Sequence, residues 1–190
     1  DLEVDYKQTF GTYITFKDKK WDANFGFYGQ TGQSVGKQLG AWYASGYVNY
    51  AYTGAATAIG PGAGLISSTI TIPDNKTIKD LSVRLNLTHA LMADLDVTLT
   101  SPNGNIVHLF TDIGAAATGG QNQMDLVLND NNGCPPLFTV LKGVGLQPEL
   151  AAHLDYFKGM KTAGNWRLTI ADDLTNASGG TLNGWSLDVL

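Results

Sequence analysis

Ile66-Ser-Ser-Thr-Ile-Thr-Ile72, Leu81-Ser-Val-Arg-Leu-Asn-Leu87 and Leu95-Asp-Val-Thr-Leu99 set an apolar side chain at alternate positions, with Ser68 in the row of the first. Successive side chains of a strand point to opposite faces of a sheet, so this period of two predicts half-buried β-strands. Turn residues punctuate the series. Pro73-Asp-Asn75 closes the first segment, and Ser101-Pro-Asn-Gly104 makes a hairpin turn into Ile106–Phe110. Further segments follow at Met124–Leu128, Trp166–Ile170 and Leu182–Val189. Short strands separated by turn signals at this spacing read as a β-sandwich. Trp166 and Trp185 fall on the inward faces of the last two, in step with Leu168, Ile170, Leu187 and Val189. Only Pro148–Phe157 reads as a short helical turn, with Leu150, Leu154 and Phe157 on one side.

Composition agrees with an all-β chain. Among 190 residues there are 17 acidic ones, and only Glu3 and Glu149 are Glu; Gly numbers 23. Glu favours helices, whereas Asp, Asn and Gly favour turns and caps. The apolar fraction of 43% with a mean hydropathy of −0.07 describes a soluble globular protein rather than a disordered one. No run of about 18 apolar residues marks a membrane span. Asp1-Leu-Glu-Val-Asp5 lacks the basic start and apolar core of a signal peptide, so an exported protein starting here is expected to be a processed form. The net charge is −5, and the cations comprise two Arg and ten scattered Lys, which excludes a basic nucleic-acid footprint. Cys134 is the single cysteine, so neither an internal disulfide nor a cysteine-based zinc site can form, and it reads as an inert loop thiol before Pro135-Pro136.

The first 52 residues hold 13 of the 19 aromatic side chains. Three segments alternate there: Phe10, Thr12, Ile14 and Phe16; Trp21, Ala23, Phe25 and Phe27; and Trp42, Ala44, Val48, Tyr50 and Tyr52. Asp18-Lys-Lys20 and the Gly/Gln-rich Gly29–Gly40 read as the connecting loops of an antiparallel β-meander. Three strands alone are marginal, so they are expected to pack on the larger unit; a separate aromatic binding platform is the alternative. The low-complexity stretch Gly54–Gly64 reads as a linker or long loop. The expected division is therefore 1–60 and 61–190.

Hydrolytic motifs are absent: there is no Gly-x-Ser-x-Gly elbow, no His-Glu-x-x-His, and His89, His108 and His153 stand apart in sequence. A triad assembled from distant positions has only eight Ser and three His to draw on. No phosphate-binding loop is present either, and the Asn-x-Ser/Thr sequons at Asn75, Asn86 and Asn176 are a chance yield of an Asn- and Thr-rich chain. Short carboxylates are the remaining chemical signal. Asp94 and Asp96 bracket Leu95, Asp112 follows a strand, Asn129-Asp-Asn-Asn132 is a run of oxygen donors, and Asp172-Asp173 precede a Gly-rich turn. Ca²⁺ takes six to eight hard oxygen ligands in flexible geometry, so Asp94, Asp112, Asn129, Asp130, Asp172 and Asp173 are the candidate metal ligands. Side-chain capping of turns by the same residues is the competing reading.

Further motifs carry a resemblance. They are Ile72-Pro-Asp-Asn75; His89 followed by Ala93-Asp-Leu-Asp-Val-Thr-Leu-Thr-Ser-Pro-Asn-Gly104; Gly119-Gly120; Leu128-Asn-Asp130; Phe157-Lys-Gly159; Gly164-Asn-Trp-Arg-Leu-Thr-Ile-Ala-Asp172; and Gly180-Thr-Leu-Asn-Gly-Trp-Ser-Leu187. In order and spacing, residues from about 66 to 190 resemble the P domain (homo-B domain) of subtilisin-like proprotein convertases and secreted bacterial proteases. Ala93 stands where that family usually has Gly, and Asn129-Asp130 where it often has Asp-Asp. The resemblance implies a jelly-roll β-sandwich similar to galactose-binding domains. It further implies a non-catalytic module C-terminal to a protease catalytic domain in the same secreted parent protein. There it would support folding, stability and a calcium or pH response, and contact substrate. It also lends support to Ca²⁺ as a cofactor. The alternative is a stand-alone extracellular adhesion or carbohydrate-binding module that stacks ligands on Trp42 or on Tyr43 and Tyr47.

Overall fold

The computed structural model describes residues 6–17, 22–34, 37–114, 122–132, 142–149 and 153–190, with side chains from residue 46 onward. Twelve strands are present among them: β1 (Tyr6–Lys17), β2 (Asp22–Ser34), β3 (Lys37–Ala51), β4 (Thr57–Ile59), β5 (Gly64–Ile72), β6 (Leu81–His89), β7 (Leu95–Thr100), β8 (Ile106–Phe110), β9 (Gln123–Leu128), β10 (Lys142–Leu146), β11 (Gly164–Asp172) and β12 (Gly180–Val189). Two short 3₁₀ turns, Met92–Asp94 and Leu154–Phe157, complete the list.

The strands form two sheets. One runs β1-β2-β3-β12-β6-β9-β10, with β4 also on β12; the other runs β5-β11-β7-β8. All described pairings are antiparallel except β9 with β10. This is the expected all-β sandwich, and every strand segment predicted between Ile66 and Val189 falls on a strand.

Alternation builds the core directly. Leu81, Val83, Leu85 and Leu87 of β6 and Leu182, Trp185, Leu187 and Val189 of β12 are buried from one sheet. Leu95, Val97 and Leu99 of β7 and Trp166, Leu168 and Ile170 of β11 are buried from the other. Leu182 and Trp185 are three apart yet both inward, because β12 slips register against β6 between Leu182 and Gly184, as a β-bulge does. Each buried indole satisfies its N–H: Trp166 Nε1 donates to the Thr162 carbonyl and Trp185 Nε1 to Ser68 Oγ, both at 2.8 Å. Phe157 meets Trp166 edge to face, with centroids 5.1 Å apart. The helical turn expected within Pro148–Phe157 is Leu154–Phe157, with Leu154 and Phe157 buried; Leu150 lies outside the described residues.

The N-terminal strands join the sandwich as an extension of its larger sheet. β3 pairs with β12 from Val48↔Val189 to Ala51↔Ser186, and Asn49 Nδ2 donates to Ser186 Oγ and Asp188 Oδ1. Two expectations need correction here. Gly29–Gly40 is not a loop: β2 continues to Ser34 and β3 begins at Lys37, with Gly29 opposite Trp42. A ladder is made by backbone groups, so a Gly/Gln stretch without apolar alternation can still extend a hairpin. Gly54–Gly64 likewise contains β4, whose Ile59 is buried and which pairs with Gly180–Leu182. Asp18-Lys-Lys20, Gly119-Gly120 and Cys134 lie outside the described residues.

Trp166 is fully buried at the centre of its sheet. Trp166→Ala is therefore expected to destabilise the fold by about 3–5 kcal/mol, through lost burial and the cavity left behind. Chemical denaturation of both proteins measures it, and a loss below about 1 kcal/mol would contradict the packing described.

Candidate functional site

β6 ends at His89, and its inward row Leu81, Val83, Leu85, Leu87 runs on to that imidazole. His89 is thus carried by strand periodicity to the rim of the core. β11 ends at Asp172, and the 3₁₀ turn before β7 ends at Asp94. His89, Asp94 and Asp172 are each at most 4% exposed, and they offer one ligand-type atom apiece within 4.8 Å of one another. His89 Nε2 is 3.2 Å from Asp172 Oδ2. Neither of those two atoms has a hydrogen-bond partner.

The surrounding contacts fix the three side chains. His89 Nδ1 lies 2.7 Å from the Leu91 carbonyl, the distance of a donated N–H. Asp172 Oδ1 accepts the Leu174 N–H, and Asp94 Oδ2 accepts from Asn176 Nδ2 at 2.8 Å. The Asp173 N–H donates to the Asp94 carbonyl, which ties the end of β11 to the turn before β7. Gly180 completes the corner from β12. A Cβ there would lie 2.0 Å from the Thr88 carbonyl oxygen and 2.8 Å from His89 Cδ2, so only glycine lets the strands approach this closely.

Beside this trio stands an acidic group, Asp96 near the start of β7 and Asp112, Glu149 and Asp173 on connecting loops. Asp173 and Glu149 lie close enough to perturb both Asp96 and Asp112, and Asp112 to perturb Asp96. Burial first, and then the charges of Asp173, Glu149 and Asp94, raises the Asp112 carboxyl above its ordinary range. Asp96 is raised by burial and by Asp112, Asp173 and Glu149, against a lowering by His108, and its Oδ1 is buried without a hydrogen-bond partner. Asp112 also adopts φ 50°, a left-handed conformation that Asp and Asn tolerate better than most residues.

The six residues singled out from sequence are not gathered in one place. Asp94, Asp112, Asp172 and Asp173 share the corner where β6 and β11 end. Asn129 and Asp130 belong to the other end of β6: Asn129 Nδ2 donates to Ser82 Oγ and Asp80 Oδ2. Nine residues of strand separate the two ends by about 26 Å, so one ion cannot bridge them. Both Asp130 oxygens are engaged, accepting the N–H groups of Leu154 and Asp155 at 3.1 and 2.6 Å. That is the capping role of a turn carboxylate. His89, quoted in a family motif, was not among the candidate ligands read from sequence. Its signal was a histidine standing in the apolar register of a strand. Of the alternative aromatic platform, Trp42 and Tyr43 lack described side chains, and the Tyr47 hydroxyl donates to Asp80 Oδ2 at 2.8 Å.

The donor sets can be compared with the Ca²⁺ expected from sequence. The loop group offers oxygen only and fits a hard cation. The buried trio offers an imidazole nitrogen and does not match that preference.

Fold and site together define a two-sheet β-sandwich module with a buried charged corner. The chain belongs to the proprotein convertase P-domain family, whose description matches residues 78–189. No curated protein matches it. Among solved structures it is similar to the serine protease of Aeromonas sobria, both alone and in complex with its ORF2 chaperone. Both comparisons give 18% identity over 74% of this chain, with TM-scores of 0.41 and 0.42. It is also similar to BuGH86 in complex with neoagarooctaose, at 10% identity over 94% of this chain and 34% of that one, with a TM-score of 0.35. The chain spans about a quarter of the Aeromonas protease chains, at 26% and 27%.

A carboxyl held above its ordinary range binds its proton more tightly in the folded state, so ionising it costs stability as pH rises through that range. Asp112→Asn, which keeps a side chain tolerant of φ 50°, is expected to raise the melting midpoint at pH 7 in metal-free buffer. The gain should fade as the pH falls through the ordinary carboxylate range. Melting curves between pH 3 and 8 test the sign; a gain independent of pH would show that charge is not its cause.

Proposed function

We propose that this chain is a non-catalytic accessory module of a secreted protease, supporting the folding and stability of a catalytic domain in the same parent protein and contacting its substrate. The observation that carries this reading is the P-domain match over residues 78–189, which spans β6 through β12 and thus most of the sandwich. The sequence supports it by holding no nucleophilic elbow and no zinc-protease helix. Extracellular location belongs to the same proposal; among the described residues no helix is long and apolar enough to cross a membrane.

Calcium enters as part of this reading through the oxygen-only group of Asp96, Asp112, Asp173 and Glu149. These carboxylates repel one another, and a divalent cation would relieve that repulsion. A cation bound only by the folded state raises stability by RT ln(1 + [Ca²⁺]/Kd), about 2.7 kcal/mol at a hundredfold excess over Kd.

Two measurements test the proposal. The purified chain should release no fluorescence from labelled casein, while deleting the module from the full-length parent should abolish accumulation of active protease. Undiminished secretion and thermal stability after the deletion would overturn the accessory role. Separately, millimolar CaCl₂ should raise the melting midpoint above that in EGTA, and Asp112→Asn should shrink the shift; equal midpoints would overturn the calcium reading alone.

A further inference from the structure

The buried corner of His89, Asp94 and Asp172 has an unbalanced charge. Two carboxylates, 1% and 4% exposed, face one imidazole that is 1% exposed. Charges are seldom buried unless paired or bound to metal. The hydrogen bonds sharpen the point. Nδ1 lies 2.7 Å from the Leu91 carbonyl and 3.3 Å from the Leu91 N–H; the carbonyl cannot donate, so the shorter contact places the proton of a neutral imidazole on Nδ1 and leaves Nε2 with a lone pair. That lone pair faces Asp172 Oδ2 across 3.2 Å, so two acceptors confront each other with no proton between them. A cation in the gap resolves the conflict.

We propose that His89, Asp94 and Asp172 bind a divalent transition metal of the zinc class, through His89 Nε2 and one carboxylate oxygen from each Asp. Zinc takes nitrogen and carboxylate ligands at about 2.0–2.2 Å, which sets neighbouring ligand atoms of a tetrahedral site about 3.4 Å apart. The 3.2 Å pair and the 4.8 Å limit on all three atoms suit that size. The outer contacts match as well. A metal-bound imidazole characteristically donates its other N–H to a carbonyl or carboxylate, as His89 does to Leu91. Ligating carboxylates are themselves hydrogen-bonded, as Asp94 is to Asn176 and Asp172 to the Leu174 N–H. The nitrogen ligand separates this site from the oxygen-only group beside it. A pocket of about 280 Å³, lined by Thr88, His89, Asn122 and Gly179 among others, lies beside the site at the β6 end. The inference does not depend on the protease reading.

The test uses the full chain, stripped with EDTA, reloaded with ZnCl₂ and desalted. Elemental analysis should find one zinc per chain, retained against a hundredfold excess of CaCl₂. Long-range ¹H–¹⁵N spectra should show His89 Nε2 unprotonated in the metal-free protein and shifted by zinc, with His108 and His153 unmoved. Co²⁺ in place of Zn²⁺ should give visible d–d absorption. Asn176→Ala, in an exposed turn, should fold and weaken zinc binding about 10–100-fold. His89→Ala should abolish retention. No retained zinc, displacement by Ca²⁺, zinc shifts at His153 alone, or a His89 imidazolium that zinc leaves unchanged would each overturn the proposal; the last would assign the corner to a buried His⁺–Asp⁻ pair.

Discussion

Two rows of alternate side chains meet in the middle of this protein, one from β6 and β12 and the other from β7 and β11, and the remaining features hang on that contact. Burying a Leu or Val side chain is worth about 1.5–3 kcal/mol, and the rows hold many of them. Two indoles add large area without leaving a polar group stranded, because each N–H reaches an oxygen of the protein. Satellite elements then need little stability of their own. β4 is three residues long, and the 3₁₀ turn at Leu154–Phe157 is held by two buried side chains and the Asp130 cap.

The same layering explains why the charged corner exists. β11 lies inside one sheet and β12 inside the other, so the chain must cross between layers after Asp172. The crossing returns beside β6, whose last inward position is His89. Strand ends from both layers therefore converge where apolar filling gives out. Gly180 lets the two backbones close there, at the cost of a site where polar side chains have no water to turn to.

Much of this was legible in the sequence because a strand reports its burial through a period of two. The segments from Ile66 to Val189, the inward Trp166 and Trp185 and the helical turn near Phe157 all follow from it. The failures have physical causes of the same kind. Gly29–Gly40 and Thr57–Ile59 are held by main-chain ladders, which leave little mark on side-chain pattern. Carboxylates were recognisable as donors, but strand order decides which of them meet. Asp130 and Asp172 look alike in sequence and sit at opposite ends of β6. His89 was hidden for the opposite reason: it occupies a position where Leu81 through Leu87 announce an apolar face, and nothing in its neighbours in sequence names Asp172 as its partner.

β12 comes after every strand it joins, yet it stands inside the larger sheet, between β3 and β6, with β4 on it as well. Until it is synthesised, β6 and β3 each present an unfilled edge, and the layer facing β11 lacks Leu182, Trp185, Leu187 and Val189. Closing contacts between residues near 50 and near 187 spans most of the chain, and such distant closures are slow. A nascent sandwich that lacks β12 therefore keeps those edges and that apolar layer exposed.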